Sequence, residues 1–105
     1  MFDLKREPIH PGEILKKDFM DPLRLSQTLL AKELNTSFRT INEIINKKRN
    51  ISPEMAIKLS RYFRTSPDVW LNLQNQYDLY RISESRKESL ERIKPYTELH
   101  RVVNY

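Results

Sequence analysis

The chain has 105 residues and no cysteine. That length argues for one domain, and the missing cysteines exclude disulfides and thiolate metal sites and suit a reducing compartment. The net charge is +5, and the excess is local: residues 36–64 hold seven basic side chains against two acidic ones, while the remainder balances. Such a concentration is the footprint of a phosphate-binding surface, the alternative being a solvated basic face with no partner.

The opening run, "MFDLKREPIHPGE", is charged and has no apolar segment of signal-peptide type. No apolar run approaches the ~20 residues that span a bilayer. A cytoplasmic chain with no membrane contact is expected.

Apolar residues recur at intervals of three and four, and the single glycine, Gly12, argues against sheet. The fold class expected is all-α. "HPGEILKKDFMDP" predicts a first helix from about Pro11 to Met20, closed by Pro22, with Ile14, Leu15 and Phe19 facing inward. "LSQTLLAKELN" predicts a second, capped by Ser26, with Leu30, Ala31 and Leu34 buried. "SFRTINEIIN" predicts a third, capped by Ser37, with Ile41, Ile44 and Ile45 inward. A fourth begins at Ser52-Pro53-Glu54 and a fifth at Ser66-Pro67-Asp68; each has a cap, a proline where no N–H is needed, and an acid on the positive end of the helix dipole. Residues 81–94 have thin periodicity and either prolong the fifth helix or fray, and Pro95 ends any helix there. The tail "YTELHRVVNY" suits a short extended segment. Two parts follow: residues 1–80 as the helical domain, and residues 81–105 as a C-terminal extension.

Residues 27–46 read as one bihelical unit. In a helix-turn-helix, two short helices cross steeply, a small side chain permits the close approach, and the second helix projects into a major groove. Ala31 is the small contact, and Leu30, Leu34, Ile41 and Ile44 lock the angle. The turn needs a residue that tolerates positive φ, which Asn35 does better than most.

The outward face supplies the candidate site. Ser37, Phe38, Arg39, Asn42 and Glu43 are the candidate base-contacting residues. Arginine forks onto guanine, asparagine onto adenine, and an aromatic edge meets a thymine methyl. Glu43, whose charge repels phosphate, orients Arg39 or discriminates against a wrong base. Gln27, Thr36, Thr40, Lys47, Lys48 and Arg49 are the candidate phosphate contacts. Val69, Trp70, Leu73 and Tyr77 line one face of the fifth helix and are candidates for core or a dimer interface. His10 and His100 have no partner motif. There is no HExxH helix, no Cys/His ligand set and no glycine-rich phosphate loop, so no enzyme activity, cofactor or metal is expected.

"HPGEIL" (10–15), "LSQTLLAKEL" (25–34), "INEIIN" (41–46), "ISPEMAIKLSRYF" (51–63) and "TSPDVWLNLQNQYDL" (65–79) together resemble the HigA antitoxins, a branch of the Xre-type helix-turn-helix proteins. The resemblance covers about residues 8–80. It implies a five-helix, lambda-repressor-like DNA-binding domain with a short C-terminal extension. It further implies a homodimer that binds a palindromic operator in double-stranded DNA and represses the operon encoding itself and a toxin. The implied toxin partner is HigB-like, a RelE-type ribonuclease that cuts mRNA on the ribosome and is neutralised by the antitoxin. Three features depart from the family pattern. Asn35 stands for the turn glycine, Phe38-Arg39 for an arginine-glutamine pair, and Lys47-Lys48-Arg49-Asn50 for a glycine-containing loop. Two alternatives accompany this reading: a stand-alone Xre-family regulator with no toxin, and a helical adaptor whose basic face binds an acidic protein.

Overall fold

The computed structural model describes residues 7–97, and every regular element among them is helical. Helix α1 starts with Pro11–Ile14, widens into a π-helical turn over Leu15–Met20, and closes with Asp21–Leu23. It is followed by α2 (Gln27–Glu33), α3 (Phe38–Ile45), α4 (Pro53–Phe63), α5 (Pro67–Ser85) and the short α6 (Lys87–Glu91).

Pro22 does not close α1, as the sequence suggested; the helix runs through it. In a regular α-helix Pro22 would lose a hydrogen bond and press its ring on the carbonyl four residues back. The widened turn just before it shifts the pattern by one, so that the Asp21 N–H reaches the Lys16 carbonyl. The helix instead stops one residue past Leu23, where Arg24 turns left-handed with φ 54°.

Three of the four expected serine caps form. Ser26 accepts from the Leu29 N–H at 3.0 Å, Ser37 from Thr40 at 3.0 Å and Ser52 from Met55 at 3.1 Å. Ser66 sits at the start of α5 with extended backbone, but its hydroxyl makes no cap bond. The α1 cap is His10, whose Nδ1 accepts from the Gly12 N–H at 2.9 Å.

The core is a single cluster centred on Leu15, Leu30, Ile41, Ile44, Leu59 and Trp70, all without exposed surface. Phe19 bridges Phe63 and Trp70, with ring centroids 5.0 Å from each. Of the residues expected inside α1, Leu15 is buried, while Ile14 and Phe19 are half-buried. Ala31 is buried at the α2–α3 crossing, as its small size required. No buried side-chain nitrogen or oxygen among the described residues lacks a partner.

Helix α5 crosses residue 80 without a break and ends at Ser85; α6 follows past the kink at Arg86. Residues 95–97 are irregular. Most of the tail expected to be extended, including His100, lies outside the described residues. No helix among those described is long and apolar enough to cross a membrane.

Candidate nucleic-acid interface

The turn between α2 and α3 is built by a left-handed residue. Asn35 has φ 55°. Its N–H bonds to the Lys32 carbonyl, and the Thr36 N–H reaches back to the Ala31 carbonyl. This pair of bonds satisfies the end of α2 and turns the chain into α3. The device repeats after α3, where Lys47 has φ 63° and its N–H meets the Ile44 carbonyl, while the Lys48 N–H meets the Glu43 carbonyl. Helix α3 is thus bounded at both ends by tight, hydrogen-bonded turns.

Helix α3 buries Ile41, Ile44 and Ile45 and turns its other side outward. Phe38 is 52% exposed, and the Arg39 side chain is 82% exposed. The Ser37 and Thr40 hydroxyls lie 2.8 Å apart at the helix start. Thr36 and Thr40 are half-buried.

Glu43 is held by two arginines. Arg39 Nε donates to one carboxylate oxygen at 3.0 Å. Arg49 donates to the other through Nε at 2.9 Å and an amino nitrogen at 2.6 Å. The hydrogen bonds from Arg39 and then Arg49 hold this carboxyl below its ordinary value of 4.5, so it is charged near neutral pH. Glu43 is thus paired with both Arg39 and Arg49.

Asn42 does not stand clear of the protein. Its amide nitrogen donates to Gln27 Oε1 at 2.9 Å, and its oxygen accepts from Asn46 at 3.1 Å. Gln27 and Asn42 form one polar unit across the two helices.

The basic run after α3 is also partly engaged. Lys47 pairs with Glu13 of α1 at 3.2 Å, and Arg49 with Glu43. Lys48 has no ion-pair partner among the described residues. Lys17 and then Lys47 keep the Glu13 carboxyl below its ordinary value. Of the remaining basic residues in the 36–64 stretch, Lys58 is spent on the Asn35 carbonyl and Glu54, bracing the turn from behind.

Two supporting residues were not read from the sequence. His10 is 2% exposed, packs edge-on against Tyr77 with centroids 4.7 Å apart, and caps α1. Its position just before Pro11-Gly12 was the available signal. Gln74 of α5 is buried; its oxygen accepts from the Ile51 N–H at 2.7 Å, and its nitrogen donates to Asn50 and Asp78. It fixes the α3–α4 loop, and nothing local marks it.

One expectation is corrected. Trp70 has no exposed surface, and its indole N–H donates to Thr65 at 2.9 Å. It belongs to the protein's own core and has nothing left to present to a second copy. Val69 remains exposed, while Leu73 and Tyr77 are half-buried.

The helix-turn-helix family model matches residues 16–70. The chain belongs to the Xre-type helix-turn-helix family. Its members are DNA-binding transcriptional regulators, and the matched segment contains α2, α3 and both turns. The chain is similar to virulence-associated protein I of Dichelobacter nodosus, at 44% identity over 83% of this chain and 80% of that protein. It is similar to antitoxin HigA-1 of Vibrio cholerae, at 32% identity over 87% of this chain and 86% of the other. Among solved structures it resembles the Pseudomonas aeruginosa antitoxin HigA with the higBA promoter. The TM-score there is 0.82 at 41% identity, covering 86% of this chain and 99% of that one. A helix-turn-helix with this backbone, braced by Gln74 and His10, carries the sequence resemblance to the HigA antitoxins through to the fold.

Proposed function

We propose that this chain is the antitoxin of a type II toxin–antitoxin system: a dimeric repressor that binds a palindromic operator, autoregulates its operon and neutralises a HigB-like, mRNA-cleaving toxin in the cytoplasm. The observation that carries this reading is the likeness in both residues and backbone to a HigA antitoxin solved with the higBA promoter, over nearly all of that protein.

Residues 1–80 carry DNA binding in this reading, and residues 81–105 extend it. Ser37, Phe38 and Arg39 meet base edges from the front of α3, where a recognition helix reaches them. Asn42 reads from beside Gln27, and Glu43 acts by aiming Arg39. Gln27, Thr36, Thr40, Lys47, Lys48 and Arg49 hold phosphates. Val69 and Leu73 lie on the side of α5 that meets the second copy, whereas Tyr77 is taken up by His10 and Arg81 of its own chain.

Two substitutions test the division of roles. Arg39→Ala costs about 1–3 kcal/mol on the DNA upstream of the protein's own gene and relaxes specificity at one position. Lys48→Ala weakens cognate and random duplexes alike and flattens the salt dependence. Identical behaviour of both variants on both duplexes sinks the assignment. The toxin half is tested by sequencing the flanking DNA for a short basic gene and co-expressing its product with this chain. Recovery of a complex supports it, and failure of the two to associate leaves a stand-alone regulator.

A further inference from the structure

A groove of about 320 Å³ runs between the loop that leaves α3 and the distal half of α5. Lys47 and Lys48 line one wall, and Arg81 and Arg86 the other, with Asp78 the single acid. Asp78 is tied back by Gln74 at 3.0 Å. Arg81 is held in place: its guanidinium lies 5.5 Å from the Tyr77 ring centroid and donates to the Tyr77 hydroxyl at 3.1 Å. Tyr77 is in turn fixed by the buried His10 ring. Lys48, Arg81 and Arg86 are exposed, and none has an ion-pair partner among the described residues.

We propose that this groove carries the DNA backbone past the end of the recognition helix, with Arg81 and Arg86 of the distal α5 segment binding phosphates outside the stretch that α3 reads. This rests on the DNA-binding reading above and adds to it a contact from beyond the helix-turn-helix itself. The groove starts at Lys47 and Lys48 in the loop after α3, so a strand held by Lys48 leads into it. Its cations are exposed and spread over two elements, which suits a strand passing through. A site for a small anion would instead converge buried donors on one point. The Tyr77–Arg81 contact removes motion that one long side chain would otherwise lose on binding.

The test uses the full chain and measures affinity against KCl concentration on two duplexes taken from upstream of its gene, one trimmed to the half-sites and one with flanks of about one helical turn. Each phosphate contact contributes roughly 0.9 to the slope of log affinity against log salt. The double variant R81Q/R86Q removes two contacts from each copy of the dimer and is expected to lose about 3.6 of that slope on the long duplex and little on the trimmed one. R81K/R86K, which keeps both charges, is expected to restore most of it. The unaltered chain is expected to show a steeper slope on the long duplex than on the short one, a comparison that needs no variant to fold. Equal slopes on the two duplexes, or a glutamine variant with the unaltered slope, would overturn the inference while leaving the repressor reading intact. So would saturable binding of inorganic pyrophosphate, lost in R81Q/R86Q, alongside unchanged DNA slopes. A flat slope of the unaltered chain on every duplex is a different failure, that of the DNA-binding reading itself.

Discussion

Single side chains set the charge state and the discrimination of this surface. His10 caps α1 only while Nδ1 is unprotonated, since it accepts the Gly12 N–H there. Burial first, and then the nearby Lys47, lower its pKa from the ordinary 6.5. The unfolded chain binds the proton more readily than the folded one. The resulting stability is fully present above pH ~6.5 and lost as the pH falls through the lowered folded value. Thermal melts are expected to hold level from pH 8 to 7 and to drop as the pH falls below about 6.5. His10→Asn, which can still accept from Gly12, is expected to flatten that drop; an unchanged profile would assign it to another group. Glu43 offers a second test. Glu43→Gln removes the charge that holds Arg39 and Arg49 and that repels phosphate. Affinity for random duplex is expected to rise and the cognate-to-random ratio to fall, measured by competition binding. A ratio that stays put would mean Glu43 does not aim Arg39.

The helices are fitted together by close backbone approaches and left-handed turns, and these differ in how far they can be read in advance. The helix starts, and the caps at Ser26, Ser37 and Ser52, were legible because each is decided within four residues, as was Asn35 at its positive φ; at Ser66 the start was legible but the cap bond does not form. The isoleucine ridge of α3 was legible from its spacing. Pro22 misled, because the π-helical turn that accommodates it follows from how α1 packs. Trp70, Gln74 and His10 depend on partners far along the chain: Trp70 on Phe19, Gln74 on Ile51, His10 on Tyr77. Gly12 is another such case. A Cβ there would collide with the Ile44 carbonyl at the end of α3, so only glycine lets α1 seat against the reading helix. Gly12→Ala is expected to cost about 1–3 kcal/mol and to weaken operator binding by shifting α3, seen as a lower melting temperature with reduced affinity. The left-handed ends predict the reverse sign. Arg24, Asn35, Lys47 and Arg64 all carry φ between 54° and 63° without being glycine. Such a conformation costs of order 1–3 kcal/mol, part of which glycine gives back through its freer unfolded state. Arg64→Gly, at a turn between α4 and α5 that is given no DNA role, is expected to stabilise by about 1 kcal/mol, or roughly 4–8 °C. A lower melting temperature would show that the arginine side chain makes up for its backbone.

At the scale of the molecule, one helix-turn-helix meets too few base pairs to find a site in a genome. Two copies related by a two-fold axis, with reading helices one turn of DNA apart (~34 Å), double the recognition and match a palindrome. The surface available for that pairing is narrower than the fifth helix suggested, because Trp70 is spent on the core. Val69 is 41% exposed and lies next to it in the chain, which separates the two roles by experiment. Trp70→Ala hollows the core and is expected to destabilise the fold by about 3–5 kcal/mol, whatever the assembly. Val69→Glu leaves the core filled but sets two like charges near the axis. It is expected to melt near the unaltered temperature, to sediment as a monomer at high micromolar concentration, and to bind the operator at least about tenfold more weakly, some 1.4 kcal/mol. Its binding to a single half-site is expected to be unchanged, since α3 is untouched. If Val69→Glu remains dimeric with full operator affinity, the second copy sits on another surface, and the two reading helices owe their spacing to contacts outside the N-terminal half of α5.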